Sequence, residues 1–465
     1  MNMINVRRLA VMTFLGAGML SDISAQDFSL QADTLNEARL PAQWDLQSCI
    51  DYALEQNITI RKNRMTAEST QIDVKTAKAA LFPSLSFSTS QQVVNRPYQE
   101  TSSRVSGSEI ISSNSKTSYN GNYGLNASWT IYNGSKRLKT LKQERLNNQV
   151  AELDVATSEN TIKESIAQIY IQILYAAESV RVNENTLQVS IAQRDRGQEL
   201  LNAGSIAKSD FAQLEAQVST DRYQLVTAQA TLQDYKLQLK QLLELDGENE
   251  MNVYLPNLSD ENVLAPLPAK KDVYVSALAI RPEIEASKLN VEASELGIDI
   301  AKSSYFPTVS LSAGIGTNHT SGSDFTFGEQ VKNGWNNSIG LSVSVPIFNN
   351  RQTKSAVQKA RLQRETNMLS LLDEQKALYK TIESLWLDAN SAQQRYAAAN
   401  EKLRSTQISY DLISEQFNLG MKNTVELLTE KNNLLQAQQE QLQAKYMAIL
   451  NTQLLKFYQG DKLTL

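Results

Sequence analysis

Two kinds of periodicity alternate along this chain. From Ser135 to Arg196, and again from Arg351 to Leu419, there is neither Gly nor Pro, and apolar residues recur at every seventh position. Met368, Ile382, Ala389, Tyr396, Leu403, Tyr410 and Phe417 share one register, broken at Gln375. Leu371, Leu378, Leu385, Ala392, Ala399 and Ile413 share a second, three residues on, broken at Thr406. Phe211, Val218, Leu225, Leu232 and Leu239 form a strict heptad, as do Leu428, Leu435, Leu442 and Ile449. This spacing predicts long helices packed as coiled coils. The first uninterrupted stretch alone would run roughly 90 Å as one helix. Gly204 and Gly420 interrupt the pattern, which predicts one helical hairpin per half, with its tip at that glycine.

The second periodicity has a repeat of two. Shorter helices are predicted over 46–80 and 272–304, ended by Pro83 and Pro307, since proline lacks the N–H and disfavours helix at the residue before it. Then residues 84–94 and 308–316 alternate apolar with Ser, Thr, Asn or Gly, and so do 119–131 and 336–347. Polar loops are expected between them, at about 95–118 and 317–335. Strands of about ten residues with one apolar face suit an outer-membrane barrel. Four strands cannot close a barrel around a channel, so the barrel is expected to be shared between protomers. Phe82, Trp129, Tyr132, Tyr305, Phe306 and Phe348 collect at the helix–strand joints, where an interfacial girdle would sit; packing of the joint alone would also explain them.

These patterns occur twice. LFPSLSFS (81–88) returns as YFPTVSLS (305–312), 224 residues later. TIYN and PIFN (130–133 and 346–349), then LNAGSIAKSDF and FNLGMKNTVEL (201–211 and 417–427), match at an offset of 216. The eight lost residues fall in the strand–loop–strand section, so the first outer loop is the longer. A tandem duplication follows, and repeats take precedence over other readings. The expected organisation is a first repeat at 26–244, a linker at 245–271, a second repeat at 272–459 and a tail at 460–465.

Composition narrows the options. Of 465 residues 20% are charged, the net charge is −5 and there is no basic block, so nucleic acid is not an expected partner. Arg7 and Arg8 precede an apolar run from Leu9 to Leu20 and small residues to Ala25, which reads as a secretory signal over 1–25. Later segments fall short of 18 apolar residues, so membrane entry would require a β-barrel. Cys49 is the one cysteine and is expected to be a buried helix residue. The single histidine, His319, lies in a predicted outer loop, so neither a HExxH zinc site nor a histidine-dependent triad is expected. There is no P-loop or GxSxG, and the methionines are scattered. No enzyme activity, cofactor or metal site is expected.

With the order helix, strand, strand, long helix, long helix, twice, behind a signal, the chain resembles the TolC-like outer-membrane efflux protein family. The carrying residues are AKAALFPSLSFS and AKSSYFPTVSLS, the return VPIFNN, and a carboxylate six residues after each tip glycine (Asp210 and Glu426). One departure is plain: Thr130 stands where a proline matching Pro346 is expected. The resemblance implies an α+β outer-membrane homotrimer with a 12-stranded barrel continued by a periplasmic helical tube. It implies a passive exit duct for efflux or type I secretion, with a periplasmic adaptor and an inner-membrane pump of the RND, ABC or MFS type as partners. It assigns Gly204, Ser205, Gly420 and Met421 to adaptor-docking tips. It assigns Asp210, Phe417, Lys422, Glu426 and Thr429 to a periplasmic gate and latch, with Lys422 tied to Asp210, and it places Pro83, Pro307 and Pro346 at the helix–strand joints. Glu430, one residue beyond Thr429, would lie ~100° around the helix from the second gate position. A diffusion porin and an exported coiled-coil scaffold are the rivals; the first needs no 60-residue heptads, the second no paired amphipathic strands.

Overall fold

The computed structural model describes residues 41–98, 102–106, 109–113, 116–246, 251–256, 263–321, 323 and 325–464. The expected signal at 1–25 lies outside them, as do parts of the first outer loop and of the 245–271 linker. The described residues fall into two units. The smaller comprises residues up to Trp44 together with Asn252–Tyr254. There Trp44 and Val253 form a parallel bridge, with Trp44 N–H donating to Asn252 O at 2.8 Å and Tyr254 N–H to Trp44 O at 2.9 Å.

In the larger unit the first half runs α1 (Leu46–Gln56), α2 (Ile58–Ala79), β1 (Ser84–Asn95), β2 (Ser102–Ser106), β3 (Glu109–Ser113), β4 (Thr117–Asn133), α3 (Lys136–Asn202) and α4 (Lys208–Leu242). The second half runs α5 (Lys270–Ile280), α6 (Pro282–Lys302), β5 (Thr308–Thr320), α7 (Phe327–Asn333), β6 (Asn336–Ser344), α8 (Gln352–Asn418) and α9 (Thr424–Gln459). At 67 residues each, α3 and α8 extend about 100 Å. Among the described residues no helix is long and apolar enough to cross a membrane.

Four strands form one antiparallel sheet in the order β1-β4-β5-β6. Each continues a helix: α2 leads into β1, β4 into α3, α6 into β5 and β6 into α8. Those helices pack α2 on α3, α3 on α6 and α6 on α8, the same order as the strands. The pairing puts Leu85, Phe87, Leu125, Trp129, Leu311, Ile315, Ile339 and Leu341 on one face. Ser86, Ser88, Asn122, Asn126, Ser312, Gly314, Ser338 and Gly340 form the other, which carries no charge among its paired rows. Phe87 and Leu341 stay more than 60% exposed, so none of the described residues covers the middle of the apolar face.

The duplication is legible in the backbone. Gly134 and Asn350, Ser135 and Arg351, Gly204 and Gly420, and Glu244 and Gly460 all hold positive φ, each pair 216 residues apart. These eight are the only described residues in that region of φ.

The structure differs from the sequence reading at several points. The helices expected over 46–80 and 272–304 are each broken, at Asn57 and Arg281, both at ψ 125°. Pro282 forces the second break by excluding helical geometry at Arg281. The first is held by the Asn57 side chain, which accepts from Thr59 N–H at 2.9 Å and restarts the helix as its N-cap. The expected outer loops contain regular structure, the β2–β3 hairpin and α7. Lastly, the buried face of α9 carries Leu427, Lys431 and Leu434, one residue off the Leu428–Leu435 heptad, which is only half-buried. Met368, also expected in a seam, is exposed. The long helices therefore carry two apolar stripes, one used inside the hairpin and one left outside, with Leu362, Leu369, Leu372, Ile408 and Leu412 uncovered on α8.

Candidate functional site

Each hairpin ends in the same turn. Gly204 N–H donates to Leu201 O and Ser205 N–H to Leu200 O, at 2.9 and 2.8 Å; Gly420 to Phe417 and Met421 to Gln416 repeat this at 2.9 Å each. This paired closure of the last carbonyls needs a left-handed residue, which glycine adopts without steric cost. A Cβ on either glycine would meet nothing within 4 Å, so both tips present bare backbone to their surroundings. Ser205 and Met421 are exposed beside them.

Beyond the second tip, α9 opens with a capping box: Asn423 accepts from Glu426 N–H and Glu426 accepts from Asn423 N–H. Lys422 Nζ donates to Glu426 Oε1 at 2.7 Å. The Lys422 bond, then the Asn423 N–H, holds the Glu426 carboxyl below its ordinary range. Lys422 is thus engaged within its own hairpin, and among the described residues no ion pair joins it to Asp210, which lies in the first turn of α4. Thr429 is exposed, its hydroxyl bonded back to Val425 O at 2.7 Å. The Glu430 carboxylate accepts from Ser409 on α8 at 3.1 Å. Phe417 is buried, 3% exposed, while Leu419 and Met421 stand out at the tip.

About two turns along α9 from Lys422 lies a polar cluster that sequence reasoning missed. Lys431 donates to Asp221 of α4 and to Ser190 of α3, and Ser190 also bonds Asp221. Gln217 donates to the second Asp221 oxygen at 2.9 Å and to Asn432 at 3.4 Å. Lys431 and Asp221 side chains are 3% and 1% exposed. Burial draws the Lys431 amine downward, with Asp221 opposing. The cluster ties the first hairpin to the second where water cannot compete. Its signal was available: Asp221 sits seven residues after buried Leu214, on a row that should be apolar. Nearby, Gly197 lets α3 and α4 close up, since a Cβ there would come within 2.3 Å of Leu214 Cδ1. Gln193 on α3 donates to the Tyr410 hydroxyl on α8 at 2.8 Å, a second cross-link between the halves.

The helix–strand joints use their prolines unequally. Pro83 and Pro307 each stand between a helix end and its strand. Pro346 follows the end of β6 at Ser344 and leaves Ile347 and Phe348 almost fully exposed. Thr130, in the matching place, lets β4 go on pairing to Asn133, across a register shift between Thr130 and Tyr132. Its carbonyl accepts from Arg137 at 2.8 Å, and Trp129 Nε1 donates to Leu81 O at 2.8 Å.

Among the described residues no group of His, Cys, Asp and Glu could hold a metal ion. Cys49 is buried and its thiol is pushed up to about 12 by burial, which makes it inert.

Residues 49–244 and 273–460 match the model of the outer membrane efflux protein family. The chain is 24% identical to outer membrane efflux protein BepC of Brucella suis over 63% of this chain and 61% of that one. It is 24% identical to outer membrane protein TolC of Escherichia coli over 70% of this chain and 66% of that one. These alignments thus span less than two thirds of either relative. The solved structure of CusC, described in terms of folding and transmembrane channel formation, superposes with a TM-score of 0.76 over 91% of this chain and 94% of CusC, at 18% identity. With the duplicated helix–strand–hairpin architecture and matches covering both halves, the chain belongs to the outer membrane efflux protein family and resides in the outer membrane.

Proposed function

We propose that the protein is the outer-membrane exit duct of a tripartite efflux or secretion system, conducting cargo passively from an adaptor and inner-membrane pump to the exterior. The carrying observation is the four-stranded sheet, which is apolar on one side, uncharged and small on the other, and open at both edges. An open edge cannot persist in lipid, where each unpaired backbone group costs several kcal/mol. Pairing β6 of one protomer with β1 of the next, three times, gives twelve strands and no edge. The apolar side then meets lipid and the Ser/Asn/Gly side lines a wet lumen, with neither a charged barrier nor a sticky surface for cargo. The second apolar stripe on α8 has the same occupant, a neighbouring copy.

In this reading the tips face the pump side, where bare glycine turns suit docking of the adaptor, and Glu426 rings the entrance. Lys422, bound to Glu426, neutralises that ring in the closed state, and the Lys431–Asp221–Ser190 cluster holds the two hairpins together above it. The linker and tail form the belt, as Gln393 donating to Val263 O and Ala265 O at 2.9 and 2.8 Å supports.

The test is single-channel recording in planar bilayers. The parent should conduct little, and Lys422→Asp, which places like charges around Glu426, should open it to a large conductance. Unmeasurable conductance in both, from protein inserted in the bilayer, would overturn the duct.

A further inference from the structure

The second outer connection is more ordered than a loop over a duct requires. β6 begins at Asn336 opposite Gly316, while β5 runs on to Thr320. Short helix α7 occupies the missing place. Its start is fixed by a capping box between Thr326 and Glu329. The Thr317 hydroxyl donates to Val331 O at 2.7 Å, and Gln330 Oε1 accepts from Thr320 N–H at 2.8 Å.

The side on which it lies follows from register. Thr317 and His319 pair with Tyr123 and Gly121, in the rows of the apolar face. The His319 ring lies across Gly121, where a Cβ would come within 2.2 Å of Cε1. It stacks on Tyr123 at 6.0 Å, and Phe327 meets it edge-on at 5.1 Å. The helix is therefore folded back over the apolar side of the sheet. Phe325, Phe327 and Trp335 nevertheless remain 51%, 45% and 58% exposed. They stand among backbone polar groups and the opposite charges of Glu329 and Lys332, the mixture that favours a membrane–water boundary over either phase. The height agrees. From Tyr119 to Trp129 along β4 is ten steps of about 3.3 Å, or about 25 Å at a 40° tilt, the height of an outer-membrane apolar band.

We propose that residues 325–335 form a foot on the membrane surface, placing Phe325, Phe327 and Trp335 in the headgroup layer of the outer leaflet and fixing the barrel's depth. This rests on the reading that the apolar sheet face meets lipid.

The test is spin-label accessibility in nanodiscs of phosphatidylethanolamine and phosphatidylglycerol, in a Cys49→Ala background. Labels go on Phe327→Cys and, as a second site, Trp335→Cys. Phe87→Cys reports the middle of the apolar face and Ser88→Cys the polar face. At Phe327 and Trp335 oxygen should be favoured over a water-soluble nickel chelate, at a depth shallower than Phe87. Nickel access at both foot sites equal to that at Ser88, with Phe87 still in lipid, overturns the foot and leaves the sheet reading intact. Nickel access at Phe87 as well overturns both.

Discussion

At the first tip Gly204 turns the chain at φ 72° and α4 starts behind Ala207, whose side chain caps nothing. At the second, Gly420 turns it at φ 74° and α9 starts behind Asn423, with a full capping box and Lys422 on Glu426. The backbone and one carboxylate, Asp210 matching Glu426, have been copied, whereas the lysine and the cap have not. The same holds higher up: Lys431, buried against Asp221, corresponds to Glu215, which is exposed on α4. Duplication preserved what the fold demands, the left-handed turns and the strand–helix alignment. In the second half alone a cap side chain and a lysine engage the carboxylate beside the tip.

The largest asymmetry should be the cluster. Replacing Lys431 with Met leaves Asp221 buried without its counter-charge, and we predict a loss of about 3–5 kcal/mol. Glu215→Gln, its positional twin, should change stability by less than ~0.5 kcal/mol. Adding Asp221→Leu to Lys431→Met should restore most of the loss, since an apolar pair replaces an ionic one. Denaturant unfolding in detergent measures all three.

How much of this the sequence discloses depends on how local the cause is. Pro83, Pro307 and the two tip glycines act on their own backbone, so helix ends and turns could be placed from residue type. The alternating strands were legible for the same reason. Asn57 was harder: an asparagine inside a helical run reads as a weak helix former until its capping role is visible. The seam of α9 was misplaced by one residue, because Leu427 and Leu428 are adjacent and both apolar, and only packing against α8 chooses between them. The Lys431 cluster was legible only in part: the spacing from Leu214 marks Asp221 as a polar residue on an apolar row, but its partners follow only from which levels of α3, α4 and α9 coincide. Lys422, just before the N-cap of α9, found Glu426 four residues on because a partner so near in sequence is within reach without help from tertiary packing.

Smaller effects sharpen the comparison at the far ends of the hairpins. Gly460 at φ 104° and Glu244 at φ 57° occupy equivalent turns. Gly460→Ala should cost about 1–2 kcal/mol, from the left-handed backbone and from a Cβ placed 2.9 Å from Ile280 Cδ1. Glu244→Gly should act in the opposite direction, gaining up to ~1 kcal/mol. Equal responses at the two sites would deny their equivalence. At the tips, Asn423→Ala should cost about 1 kcal/mol and Ala207→Asn should recover a similar amount in the first hairpin. Amide exchange in the first turns of α9 and α4 separates the two.

The smallest effect is one of pH. The Glu426 carboxyl is held below its ordinary value of 4.5. Its contribution is therefore complete above that value and lost as pH falls through the lowered one. Exchange in the first turn of α9, corrected for intrinsic rates, should accelerate below pH 4.5, whereas the first turn of α4, capped by no side chain, should show no matching step. Glu426→Gln should remove the step.

The central claim is that one chain supplies a third of a closed barrel. The direct measurement is the native mass of the membrane-extracted, folded protein in mild detergent. The account predicts three copies of the chain, unchanged on dilution. A stable single chain that still reconstitutes into bilayers with its strands ordered would contradict it.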